Sequence, residues 1–282
     1  MAGTSTKVFS VDVQASNENV DVEEVVFTTA NDLRNAVTTA TLYLGDTVIA
    51  TNTNADITSA ANSTITFKNL TNLIIAQSTQ ELRLELNTAT IGFEKVGQTL
   101  LNTTIDGVAF NEVEGVDSDK PVTVLPLVTS SQDFSIVPVK VTASVTQALS
   151  VSNSQAKLTI TIDKGSNTVD ANNAAPQALL TDLVFSELGN NTLGYKIYKE
   201  GNAANFGTID NAGVFSQGAI PTNDLTISTS ATYVIVPVGT VDETYSLVLA
   251  KDGVVYDVAG VVGATNLTSN SVNDVELGSR TY

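Results

Sequence analysis

Apolar and polar residues alternate with a period of two along much of this chain, and that alternation decides what it can fold into. Residues 7–13 read KVFSVDV, 64–67 TITF, 81–86 ELRLEL, 157–162 KLTITI, 225–228 LTIS and 244–249 TYSLVL. A period of two sends one set of side chains to one face of a strand and the other set to the opposite face. Here one face carries mostly Val, Leu, Ile and Phe, and the other mostly Thr, Ser and charge. Strands with one wet face belong to antiparallel sheets, because parallel strands are buried on both faces. Helical spacing is short wherever it occurs. Residues 31–36 have room for one turn, and 175–183 (APQALLTDL), with Pro176 near the start, for a short helix. The chain therefore reads as all-β.

Turn chemistry punctuates the strands. Tyr43-Leu44-Gly45-Asp46-Thr47-Val48 reads as a tight hairpin. So do Lys251-Asp252-Gly253-Val254 and Ile105-Asp106-Gly107-Val108, where Asp-Gly supplies positive φ. Pro126, Pro138 and Pro237 sit inside extended apolar stretches and predict edge strands or strand switches. The two halves repeat: VVF at 25–27 answers LVF at 183–185, and Tyr43 before Gly-Asp answers Tyr198 before Lys-Glu-Gly. A length of 282 residues suits one large or two ordinary domains. Residues 112–121 (EVEGVDSDKP) are acidic, hold Gly and Pro, and break the alternation, which reads as a linker. Two tandem antiparallel β-sandwich domains are expected, at residues 1–116 and 117–264. The Asn- and Ser-rich tail at 265–282 is either disordered or an accessory strand.

Composition removes whole classes of function. There are 13 basic and 30 acidic residues, a formal net charge of −17. Nucleic acid and anionic membrane surfaces both need clustered Lys and Arg, so neither is an expected partner. A surplus of carboxylates favours divalent cations instead. The chain has no Cys, no His and no Trp, and Met1 is its single Met. Disulfides, thiolate metal sites and imidazole catalysis are thereby excluded. No apolar run is long enough to span a bilayer as a helix. Residues 1–6 are small and polar and do not form a signal peptide. Two locations stay open: the cytoplasm, or the cell exterior for a mature domain whose export signal was trimmed. The second is the expectation.

Candidate chemistry is sparse. A Ser-His-Asp triad cannot be built, although a Ser–Lys pair is not formally excluded. Paired carboxylates could run glycoside hydrolysis, but aromatics are 6% of the chain and Trp is missing, so a sugar platform is lacking. No enzyme is expected. Structural Ca²⁺ is the most plausible ion. Glu112, Glu114, Asp117 and Asp119 lie within eight positions and form the leading candidate site. Asp170 with Asn172 and Asn173, and Asp12 with Glu18 and Asp21, are the second and third. None matches an EF-hand loop, and solvated acidic loops would look the same. Tyr195-Lys196-Ile197-Tyr198-Lys199 interleaves aromatic and basic residues, as a strand with its lysines on the wet side also would. Sequons for N-glycosylation occur at Asn62, Asn69, Asn102, Asn190 and Asn266, as many as a chain rich in Asn and Thr yields by chance. Lys7, Lys140 and Lys157 are possible members of Lys–Asn isopeptide bonds, but alternation turns them to solvent.

The opening strand at 7–13, the VVF segment and the Leu42-Tyr43-Leu44-Gly45-Asp46 hairpin are followed by Thr66-Phe67-Lys68-Asn69-Leu70 and a strand at 82–86. This series resembles the immunoglobulin-like β-sandwich repeats of bacterial and archaeal cell-surface and S-layer-type proteins. The resemblance covers residues 7–92 and, more loosely, 134–259, where Phe215 and Leu225 lack an Asn-Leu counterpart. It implies an immunoglobulin-like fold in both domains and a scaffolding role outside the cell, and it brings no catalytic residue. The expected function is a non-enzymatic structural subunit of a cell-surface layer or extracellular filament. Its expected partners are copies of itself or other cell-surface proteins, with glycan or cell-wall contact. Assembly would run through sandwich edges or through terminal strands at 5–13 and 271–277. A surface adhesin or ligand-binding module, and a phage or virion structural protein, are the alternatives. An ordered apolar groove would favour the binding module.

Overall fold

A computed structural model describes residues 5–53, 57, 63–71, 73–89, 99–125, 129–131, 133–169, 172, 174–189, 192–239, 243–261, 263–269, 271 and 273–282. Among the described residues the chain is all-β apart from one helical turn, and the named strands pair antiparallel, as the alternation requires, with one isolated parallel bridge at Leu149 and Gly278. It divides into two compact units, the first built on Met1–Ile91 and Lys95–Val137 and the second on Pro138–Tyr282. Residues 112–121 therefore lie inside the first unit, and the units join at Val137/Pro138.

The first unit holds β1 (Ser5–Val13), β2 (Val20–Thr29), β3 (Val37–Leu44), β4 (Thr47–Thr53), β5 (Ser63–Phe67) and β6 (Ile74–Ile75). It continues with β7 (Gln80–Thr88), β8 (Leu100–Thr103), β9 (Gly107–Gly115), β10 (Thr129–Ser131) and β11 (Phe134–Ile136). β8 pairs with β11; of the two larger sheets, one runs β10-β1-β7-β3-β4, and in the other β2 pairs with β5, β6 and β9. Their inner faces meet through Phe9 and Phe27, whose rings stand edge to face at 5.4 Å. Phe9, Phe27, Phe67, Leu42, Leu82 and Leu84 are almost wholly buried. Each such side chain contributes about 1.5–3 kcal/mol on leaving water. Gly45 takes φ +58 between the paired residues Leu44 and Thr47, so the hairpin expected at 43–48 is present.

The second unit holds β12 (Lys140–Gln147), β13 (Ala156–Asp163), β14 (Ala178–Leu188), β15 (Tyr195–Lys199), β16 (Phe206–Ile209) and β17 (Phe215–Ser216). After α1 (Thr222–Leu225) come β18 (Thr226–Ile227), β19 (Ser230–Pro237), β20 (Thr244–Val258), β21 (Leu267–Thr268) and β22 (Val275–Thr281). The sheets run β12-β13-β19-β15-β16-β17 and β18-β14-β20-β21, with β22 also on β20. Tyr195, Tyr233, Tyr245 and Tyr256 are buried here. A buried phenol needs an acceptor. Tyr195 donates to Ser246 O at 2.8 Å, Tyr233 to Asp224 O at 2.8 Å, and Tyr256 to Val139 O at 2.7 Å. Tyr245 donates to the Glu243 carboxylate.

Four local expectations are overturned. Residues 251–254 are not a hairpin but lie within β20, because the segments on both sides pair with the same strand, β14. Gly107 opens β9, and β8 and β9 do not pair with each other. Residues 178–183 are strand rather than helix, whereas 31–36 hold the single turn for which they have room. Pro237 ends β19, which is a central strand; its place as the last residue makes the missing N–H tolerable. Pro126 lies outside the described residues.

One plan is used twice. β1, β7, β3 and β4 neighbour one another in the same order as β13, β19, β15 and β16. β10 flanks β1 as β12 flanks β13, and β2 lies between β6 and β9 as β14 lies between β18 and β20. Val20, Val22, Val25 and Phe27 take inward steps of two, three and two residues, and Ala178, Leu180, Leu183 and Phe185 repeat them. Their cross-strand partners are Gly115, Val113, Phe110 and Val108 in one unit. In the other they are Val258, Tyr256, Val254 and Leu249. Val113 and Tyr256 therefore hold equivalent positions.

Candidate binding cleft in the first unit

At the equivalent positions Val113 and Tyr256 the first unit carries the smaller side chain, and there is space beside it. A cleft of about 400 Å³ opens beside Val113. Its floor is Val20, Val22, Phe110 and Val113 from the kinked β2–β9 pair, with Ile75 of β6 beside them. One wall is the β1–β2 connection, residues 13–18, and the other is residues 122–125. The second wall exists because the chain turns back after β9. Gly115 N–H donates to Lys120 O at 2.9 Å and Val122 N–H to Val113 O at 2.8 Å. The wall then leaves the sheet, and Val124 and Leu125 are 42% and 71% exposed. Exposed apolar side chains beside an apolar hollow mark a place where something docks more often than an accident of packing.

Glu18 braces the turn at one end of the cleft. Its Oε2 accepts the Asp117 N–H at 2.8 Å and the Ser118 N–H at 3.1 Å. Bonds from the Ser118 side chain and the Asp117 backbone hold its carboxyl below the ordinary glutamate range. Gly115 lies against it: a Cβ there would come within 2.5 Å of Glu18 Oε1 and of Ser118 Oγ.

Glu112, Glu114, Asp117 and Asp119 are all exposed. Glu112 and Glu114 stand on β9, and Asp117 and Asp119 on its return turn. Among the described residues no three carboxylates gather where a metal ion could be held. Asp21 faces Glu114 across the β2–β9 pair, and its Oδ1 is buried without a hydrogen-bond partner among the described residues. Two carboxylates fall well short of the six to eight oxygens that Ca²⁺ takes. Asp12 pairs in register with Glu81 on another sheet, away from Asp21, and Asp170 and Asn173 lie outside the described residues.

The remaining candidates resolve into structure. Residues 195–199 are β15, with Lys196 Nζ 3.6 Å from the centre of the Phe206 ring. Lys157 Nζ lies 2.5 Å from Glu200 Oε1 and Ser154, three residues before it, is exposed, so the Ser–Lys pair that the sequence left open does not form there. Lys7 pairs with Glu81 at 2.5 Å. Asn69 and Asn266 are exposed in left-handed turns, with φ 54 and 52. The cleft itself was not legible in the sequence. Its signal is the pair Val113/Tyr256, which can be aligned only once the strand partners are known.

No protein-family model matches the chain. No curated protein matches it.

Proposed function

We propose that the chain is a non-enzymatic structural subunit of a cell-surface layer or extracellular filament, built from two immunoglobulin-like sandwich units and joined to its neighbours along sheet edges. The observation that carries this reading is one strand plan used twice in tandem, with no sheet closed on itself among the described residues. Repeated β units of this kind serve as spacers and lattice elements. The terminal strands are already engaged: β1 lies between β10 and β7, and β22 lies on β20. Joining therefore falls to edge strands such as β4, whose Thr47, Val48, Thr51 and Thr53 are exposed. An open edge presents unpaired N–H and C=O groups to another chain. A net charge of −17 makes copies repel, so divalent cations would promote joining.

The test is light scattering and negative-stain microscopy of the purified chain with and without Ca²⁺. Regular polymers that disappear in Val48→Lys support the reading, and a monodisperse monomer in both conditions ends it. The apolar cleft favours a second reading, a ligand-binding surface module, which the absence of polymers together with ligand capture would support.

A further inference from the structure

The second unit shows what the cleft of the first is shaped to hold. In that unit the position of Val113 is taken by Tyr256, 1% exposed, whose hydroxyl donates to Val139 O at 2.7 Å. Val139 immediately precedes β12, the strand that flanks β13. In the first unit the far wall of the cleft, residues 122–125, precedes β10, the strand that flanks β1. The Tyr256 ring thus fills the space between its own strand and a segment that leads into the flanking strand, and in the first unit the cleft lies open between Val113 and residues that lead toward β10. We infer that the cleft is a binding site for a phenol ring, seated against Val20, Val22 and Val113 with its hydroxyl donating to a backbone carbonyl of residues 122–125. The chemistry is that of a tyrosine side chain, supplied either by another polypeptide or by a free phenol.

The inference does not depend on self-assembly. Val20, Val22, Ile75 and Val113 on the floor give the ring its burial, and the carbonyl answers the one polar group that burial would otherwise strand. The ring and its hydroxyl are uncharged, so affinity should be insensitive to salt.

The experiment titrates p-cresol into the full chain and follows backbone amides by NMR. Saturable shifts confined to residues 13–22, 110–113 and 122–125 are expected, with binding several-fold weaker for toluene, which lacks the hydroxyl. Val113→Tyr restores the residue type of the second unit and should abolish binding. Leu125→Asp alters an exposed wall residue with little risk to folding and should weaken it several-fold. No saturable shift in the wild-type chain, or undiminished binding in both variants, overturns the inference. Acetyl-Gly-Tyr-Gly-amide separates the sources. Binding equal to p-cresol assigns the site to a tyrosine on a partner chain, and its exclusion with p-cresol still bound assigns it to a free phenol.

Discussion

At the scale of single residues, the acidic turn is held by a partner far away in sequence. The carboxylates at 112–119 look like a cation site in the sequence because their spacing is dense. What they build is a turn whose N–H groups converge on Glu18. Sequence spacing hides that partner, since 99 residues separate Glu18 from Asp117. The sign of the pH effect follows from the direction of the shift. Glu18 binds its proton less tightly in the folded chain than in the unfolded one, where its value is the ordinary 4.5. The bonding therefore stabilises fully above that value and is lost as pH falls through the lower folded value. Amides of residues 115–120 should keep their hydrogen-exchange protection at neutral pH and lose it on acidification below 4.5, starting with Asp117 and Ser118. Glu18→Gln should remove that acid dependence; retained dependence would mean that another carboxylate controls the turn. Gly115→Ala should loosen the turn at every pH, because its Cβ meets the Glu18 carboxylate at 2.5 Å.

At the scale of elements, the alternation located most strands correctly and failed where it skips. The register of β14 on β20 shifts between Leu180 and Asp182 and again between Leu183 and Phe185. That irregularity puts a step of three between Leu180 and Leu183, which mimics the spacing of a helical turn, so 175–183 looked helical. On the partner strand the same irregularity is met by Gly253, and Asp-Gly looked like a hairpin turn. Both misreadings have one cause: a bulge locally breaks the period of two without ending the strand. Gly253 is needed for close approach, since a Cβ there would lie 2.3 Å from Val184 O and 2.8 Å from Ala250 O. Gly253→Ala should therefore force the two strands apart and cost about 1–3 kcal/mol in denaturant unfolding. Gly45 is needed for its backbone angle alone: nothing lies within 4 Å of its Cβ position, but its φ is +58. Gly45→Ala should cost about 1 kcal/mol, and Gly45→Asn less, because Asn tolerates that region. Equal losses for Gly253→Ala and Gly45→Ala would contradict the distinction between contact and conformation.

At the scale of the whole chain, the repeat was legible from two short matches, VVF with LVF and Tyr43 with Tyr198, because they fall on equivalent strands, β2 with β14 and β3 with β15. The join was not legible. Residues 134–143 (FSIVPVKVTA) carry apolar alternation across it, and the one marker at the join, Pro138, read as an edge strand or strand switch and not as a linker. The acidic run that did look like a linker is the return turn of β9. Duplication makes each unit a reference for the other, which gives the phenol site a reciprocal test. Removing the Tyr256 ring should recreate, in the second unit, the hollow that Val113 leaves in the first. Tyr256→Val deletes a buried ring and its bond to Val139 O, and should lower the stability of the second unit by about 2–4 kcal/mol. The first unit should be unaffected, because its strands and core do not include that ring. p-Cresol should then raise the melting temperature of the variant's second unit and leave the wild-type second unit, already filled by its own tyrosine, where it was. Calorimetry that resolves the two transitions reads both effects in one scan. A destabilised second unit that p-cresol fails to rescue would show that the two positions, though equivalent in register, do not enclose the same space.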